Sequence, residues 1–425
     1  MRYTVRTVLF CLAVAINQVV ADDGLRSPAT ANAGAAGNPY QPWTLGPSRD
    51  KSYFPIAVWL QSPENAPRYQ AAGINLYLGL YNGPTEAQLA TLKKHGMPVI
   101  CEQNAVGLVH LEDPLIIAWM HGDEPDMARD FKTFWGGDVK RLQAAWPGVY
   151  DGLGPDKPYK GYGVGLPPAW IIRDYKAIKA KDPRRPIFLN LSVDVAYEKW
   201  PGRGDRTGKT EDIPEYLKGC DIASFDIYPA CDDKPEVKGN LWLVPKGVDN
   251  LRTWSEDRKL VWDCIECTAI GDLSRKPRPR DTRAEVWMSL IHGSMGLVYF
   301  VHQFKPFNEH ALLDDPAMLT EVTRVNKQIQ SLAPVLNSPS AAKPATVVSA
   351  NQEVPIASMT KTDGSTVHIF TVAMRPGETK AIVTVPGQTM GKVTVLGEDR
   401  TISMQAGRFE DVFRDWDVHL YEIRP

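Results

Sequence analysis

The feature that most restricts the fold of this chain is an alternation between Phe54 and Phe304, where short apolar runs are separated by amphipathic helical stretches or long crossovers. Runs of this length, bounded by turn residues, read as strands buried on both faces, and their separation by helices reads as repeated βα units. The runs are Phe54 to Gln61, Ile74 to Tyr81, Met97 to Gln103, Leu115 to Glu124, Ile187 to Val193, Asp221 to Tyr228, Lys259 to Glu266 and Leu297 to Phe304. Helices are expected over Glu64 to Ala72, from Pro84-Thr85 to His95-Gly96, and over Ala169 to Ala180, each closed by turn or capping residues. Eight strands in about 250 residues match a (β/α)8 TIM barrel in number and length. A doubly wound sheet would carry a Gly-rich phosphate turn after an early strand, and no G-x-G-x-x-G stands there.

The flanks read differently. Arg2 and Arg6 precede an apolar run from Val8 to Val20 that ends in Val19-Val20-Ala21, so residues 1–21 are expected to be an export signal and the mature chain to be periplasmic or extracellular. The run is broken by Asn17 and Gln18 and falls short of the ~20 apolar residues of a membrane span, so no membrane partner is expected after cleavage. Residues 22–52, rich in Ala, Gly, Pro and Ser, read as a linker or loose arm. Residues 53–335 form the expected barrel, and residues 336–425, with short alternating runs punctuated by Asp363-Gly364, Pro376-Gly377 and Pro386-Gly387, an antiparallel β-sandwich.

Charge and cysteines narrow the partners. Lys+Arg 48 against Asp+Glu 50, with no long basic run, gives no footprint for nucleic acid. Without Cys11 in the leader, five of the 6 cysteines remain, too few for a disulfide scaffold. Cys220 and Cys231 flank a strand about 30 Å long and cannot pair with each other. Cys264-Ile265-Glu266-Cys267 has no second C-x-x-C to complete a zinc site, and the 8 His are scattered, so neither a metal nor an organic cofactor is expected.

In such a barrel, chemistry sits at the carboxyl ends of the strands. On strand four, Ala118, Met120, Gly122 and Glu124 share one face by the period of two, which presents Glu124 into the cavity. On strand seven, Glu266 ends an otherwise apolar run, where a carboxylate has to be paired, solvated or functional. Asp263 on the same strand is expected to face the helices, and Glu102 at the end of strand three is a third carboxylate.

Trp119-x-x-Gly122-Asp123-Glu124-Pro125 on strand four, together with Glu266 on strand seven, resembles the retaining glycoside hydrolases of clan GH-A. The resemblance implies a (β/α)8 barrel, with Glu124 as acid/base and Glu266 as nucleophile. The clan commonly has Asn immediately before the acid/base, where this chain has Asp123. Tyr228-Pro229 resembles the clan's strand-six aromatic that hydrogen-bonds the nucleophile. Physical logic asks for the same division of labour, since cleaving a glycosidic bond needs a proton donor for the leaving oxygen and an anion at the anomeric carbon. Retention places the two carboxyl groups ~5–5.5 Å apart and inversion ~6.5–9.5 Å.

Further sugar contacts are expected from polar rows on one strand face: Asp226 and Tyr228 with Ser224, Asn190 with Ser192 and Asp194, and Tyr77 with Asn75 and Tyr81. Asp123, His121, His302 and Trp262 complete the candidates, the histidines and Trp262 being equally suited to core packing. Trp135, Trp146, Trp170 and Trp200 lie in the long segments after strands four and five, where loops build a cleft. The sequence thus reads as an exported retaining glycoside hydrolase of a poly- or oligosaccharide. The rival reading is a non-catalytic carbohydrate-binding or cell-surface protein on a degenerate barrel.

Overall fold

The computed structural model describes residues 38–424, so the expected leader and Cys11 lie outside the described residues. Parallel strands β1 (Ile56–Trp59), β2 (Leu76–Leu78), β3 (Val99–Glu102), β4 (Ile116–Met120), β5 (Ile187–Leu191), β6 (Ile222–Phe225), β7 and β8 (Leu297–Phe300) form one sheet. Strand β7 is in two pieces, Leu260–Val261 and Asp263–Glu266, on either side of Trp262. The first piece pairs with β6 and the second with β8, and β8 pairs with β1, so the ring closes through the break. This is the expected (β/α)8 barrel.

Local chemistry sets the helices between the strands. Helix α1 (Ala66–Ala71) is short, and α2 (Glu86–Lys94) opens on a capping box in which Thr85 and Gln88 satisfy each other's backbone N–H. Helices α3 (Ala105–Val109), α4 (Val139–Ala145), α5 (Pro168–Lys181), α6 (Ile213–Tyr216), α7 (Leu243–Trp254), α8 (Pro279–Ile291) and α9 (Pro316–Leu336) follow. At α9, Asp315 caps the Met318 N–H and Pro316 occupies the first turn, where its missing N–H costs nothing.

Two apolar cores result from the period of two along each strand. Val58, Tyr77, Trp119, Leu189 and Ile265 face the helices, whereas Ala57, Leu76, Leu78, Ile100, Ala118, Met120, Phe188, Ile222, Trp262 and Cys264 fill the barrel. Its amino-terminal end is plugged by the segment expected to be a loose arm. Tyr40, 1% exposed, accepts from Trp262 Nε1 at 3.1 Å and donates to the Met295 carbonyl at 2.9 Å.

The excursion after β4 builds a small aromatic core of Trp135, Trp146, Tyr150 and Val164. Trp135 and Trp146 are buried there, each indole N–H donating to a backbone carbonyl, of Val164 and Gly165 respectively. They therefore stiffen the loop instead of lining an open cleft. Beyond α9, eight antiparallel strands from Thr346–Ser349 to Val418–Ile423 form one sheet whose two edge strands are consecutive in the chain. Three of its strands, Thr346–Ser349, Arg400–Gln405 and Arg408–Phe413, were not marked by the sequence pattern. The sheet packs on α8, where Trp287 stacks on Phe370 with ring centres 5.5 Å apart.

Candidate active site

Strand β4 ends at Met120, and the chain then turns across the barrel mouth through Gly122-Asp123-Glu124-Pro125. Glu124 has φ +41°, a left-handed conformation that costs a non-glycine residue energy and recurs where a side chain must be aimed. Two buried anchors hold this turn. The Asp126 carboxylate accepts from the backbone N–H of Ser192 at 3.1 Å and its hydroxyl at 2.7 Å, and Arg203 lies 3.8 Å away. Arg203 also pairs with Asp194 at 3.0 Å and Asp212 at 2.7 Å, all of them buried. The loops after β4 and β5 are thereby locked together by one guanidinium.

Above this lock sits a group of carboxyls. Asn190, on β5 and buried, donates from Nδ2 to Asp123 Oδ1 and to Asp226 Oδ1, both at 3.0 Å. Both protons of the amide are used, so Asn190 orients two carboxylates from two neighbouring segments at once. Its Oδ1 lies 3.8 Å from Cys264 Sγ, which also meets Ser224 Oγ at 3.5 Å. Tyr228, next on the inward face after Asp226, sets its buried hydroxyl near Asp226, Glu124 and Asp123.

The titration behaviour follows from crowding. Burial, then the charges of Asp226, Asp123 and Asp126, push the half-buried Glu124 up to about 10, against a downward pull from Arg129. Asp226 is raised to about 7 by burial and by Asp123, and Asp123 is raised as well, while the Asn190 amide lowers both. At neutral pH Glu124 therefore holds the proton among acids that are more readily ionised. A carboxyl that keeps its proton beside ionised ones is an arrangement that can supply a general acid and an anion.

Glu266 stands apart from this group. It is 0% exposed, and its two carboxylate oxygens accept from Ala230 N–H at 2.6 Å and Cys231 N–H at 2.9 Å, in the loop after β6. On its other side is Glu285 of α8, also 0% exposed. Burial raises Glu266 to about 7, and burial together with the charge of Glu266 raises Glu285 well above its ordinary value. Glu124 and Glu266 both stand at strand ends of the one barrel, in different surroundings: Glu124 lies among Asp123, Asp126 and Asp226, and Glu266 accepts from the backbone of the loop after β6.

No protein-family model matches the sequence, and no curated protein is matched by it. Among solved structures, the chain is similar to Gan42B, a GH42 beta-galactosidase, with TM-score 0.55 and 10% identity over 88% of this chain and 98% of that one. It is also similar to an alpha-amylase from Geobacillus thermoleovorans solved with acarbose, with TM-score 0.51 and 12% identity over 89% of this chain and 100% of that one. A third similar structure is an Anoxybacillus alpha-amylase, with TM-score 0.51 and 9% identity over 89% and 99%. At these identities the likeness establishes a shared fold.

The other expected contacts divide by strand parity. Asn190, Asp226, Tyr228 and Asp123 meet at the mouth, and His302 lies at its rim beyond β8, with its ring 3.4 Å from Gln61 Nε2. Tyr77, His121 and Trp262 do not. Tyr77 faces outward, donating to the Ser62 carbonyl at 3.0 Å and meeting Tyr69 edge to face. Its companion Asn75 bonds the backbone of Phe54 and Ile56 at the opposite end of the barrel. His121 is buried with Nε2 2.8 Å from the Gly219 carbonyl, in the layer between sheet and helices. Trp262 lies at the closed, amino-terminal end against Tyr40.

Sequence reasoning missed Asp126 and Arg203, whose pairing spans 77 positions of chain and carries no local signal. It also missed Phe300 and Phe307. Tyr228 and Phe300 have ring centres 5.2 Å apart, Phe300 and His302 5.3 Å, and His302 and Phe307 6.4 Å. This aromatic row runs from the carboxyl group out to Phe304 and Phe307, 51% and 68% exposed. Flat apolar faces of this kind suit the C–H faces of sugar rings.

Proposed function

We propose that this protein is a glycoside hydrolase acting on a poly- or oligosaccharide at the carboxyl-terminal mouth of the barrel, with Glu124 as general acid. The observation that carries the reading is Glu124 itself: a carboxyl aimed by a left-handed backbone and raised to about 10 among the more acidic Asp123 and Asp226. Such a group keeps its proton at neutral pH and can pass it to the departing glycosidic oxygen. The aromatic row beside it supplies a surface for a sugar, and the similar folds include a beta-galactosidase and alpha-amylases. Double displacement with retention, and export by residues 1–21, are parts of the same proposal. Glu266 is given a positioning role, holding the loop that follows Tyr228.

The test compares wild type with Glu124→Gln on a panel of polysaccharides and aryl glycosides. Loss of the proton donor should slow cleavage of saccharides by ~10²–10⁴-fold. Dinitrophenyl glycosides, whose leaving group needs no proton, should be affected far less. Equal turnover by wild type and variant on both substrate types would remove Glu124 from the chemistry.

A further inference from the structure

We propose that Asp226, the residue after β6, and not Glu266 on β7, is the carboxylate that attacks the anomeric carbon, with Asn190 as the residue that positions it. This assignment rests on the hydrolase reading of the barrel mouth. Access separates the two carboxylates. Asp226 is partly exposed at the mouth, whereas Glu266 is fully enclosed with both oxygens engaged by backbone N–H groups. A nucleophile must reach carbon, and Glu266 would have to give up two hydrogen bonds and leave its pocket to do so.

Orientation gives the second step. One oxygen of Asp226 is fixed by Asn190 at 3.0 Å, the same amide that fixes Asp123, so the carboxylate is held in one attitude beside the Glu124 turn. Proximity gives the third. Among the charges acting on Glu124, Asp226 ranks above Asp123, its immediate neighbour in the chain. The shared Asn190 amide ties Asp226 to Asp123, the residue before Glu124, so these carboxyls belong to one cluster at the mouth.

The chemistry balances with these two groups and water. The Asp226 carboxylate forms a C–O bond to the anomeric carbon while the glycosidic C–O bond breaks. The departing electron pair stays on the leaving oxygen, which takes the Glu124 proton. Water then loses a proton to the Glu124 carboxylate and its oxygen displaces Asp226, restoring both side chains and yielding a free reducing end. The Tyr228 hydroxyl, buried among these carboxyls, is placed to donate to Asp226.

The experiment uses the full chain and a panel of 2,4-dinitrophenyl glycosides, with Asp226→Ala, Glu266→Gln and Glu266→Ala measured with and without sodium azide. Asp226→Ala should lose on the order of 10³-fold or more in kcat. Azide should restore its turnover and yield a glycosyl azide of inverted anomeric configuration, a product that a folding defect cannot generate. Glu266→Gln and Glu266→Ala should lose activity only through the loop that Glu266 holds, and azide should restore neither, since the attacking carboxylate is intact in both. Azide rescue of Glu266→Ala, with Asp226→Ala still turning over unaided, would overturn the assignment while leaving the hydrolase reading intact. If wild type cleaves nothing in the panel, the hydrolase reading fails and this assignment falls with it.

Discussion

Replacing Glu285 by glutamine should stabilise the protein at neutral pH, by a margin that widens as pH rises. Glu285 is 0% exposed on α8, neither of its oxygens receives a hydrogen bond, and its carboxyl faces that of Glu266. Burial and the charge of Glu266 raise it well above the ordinary 4.5, so the folded protein keeps a proton that the unfolded chain releases. The stability tied to that proton is complete below the unfolded value and is lost as pH climbs toward the folded one. While Glu285 stays protonated in the fold and ionised in the unfolded chain, each pH unit costs about 1.4 kcal/mol. The loss accumulates at that slope in the window above the ordinary 4.5 and below the raised folded value. A glutamine amide can donate to Glu266 from the same place and has no proton to surrender, so the variant escapes this loss. Urea unfolding of both proteins across that window gives the difference directly. Carboxylates whose values are lowered, such as Asp182 beside Arg185, contribute equally to both and cancel. A margin that does not change with pH would refute the reasoning, since it would mean that Glu285 titrates alike in the folded and unfolded chain.

Two other predictions follow from the same geometry. Arg203→Ala should cost about 3–5 kcal/mol in chemical denaturation, because it strands the buried Asp126 and Asp194 without their cation; a loss below about 1 kcal/mol would show that the lock between the two loops is not structural. For wild type, kcat/KM should rise with pH through about 7 as Asp226 ionises and fall through about 10 as Glu124 gives up its proton. The rising limb should move when Asn190 is replaced by alanine, and an unmoved limb would separate Asp226 from that ionisation.

Much of the scaffold was written in one dimension. Eight apolar runs of strand length, spaced by capped helices, leave few ways to bury both faces of every strand, and the barrel is the arrangement that does so. The position of Glu124 followed from the same count, because a polar residue that ends the fourth strand has to emerge at the mouth. Parity was harder to read wherever both faces of a strand are apolar. Leu76 and Leu78 fill the barrel while Tyr77 between them faces the helices, and nothing in the alternation says which side is which.

What only the tertiary structure decided is the company each strand-end carboxylate keeps. The sequence places Glu124, Asp226 and Glu266 alike at the ends of strands four, six and seven. At a strand's end the direction of a side chain is chosen by whatever donors the next loops offer. For Asp226 that donor is Asn190, which holds it in the mouth beside Asp123; for Glu266 it is the backbone of Ala230 and Cys231, which holds it fully buried. Hydrogen-bond geometry across loops tens of residues apart has no periodic trace in the chain. The sequence therefore determined the barrel and the strand-end place of Glu124, and the packed loops determined which carboxylates stand beside it.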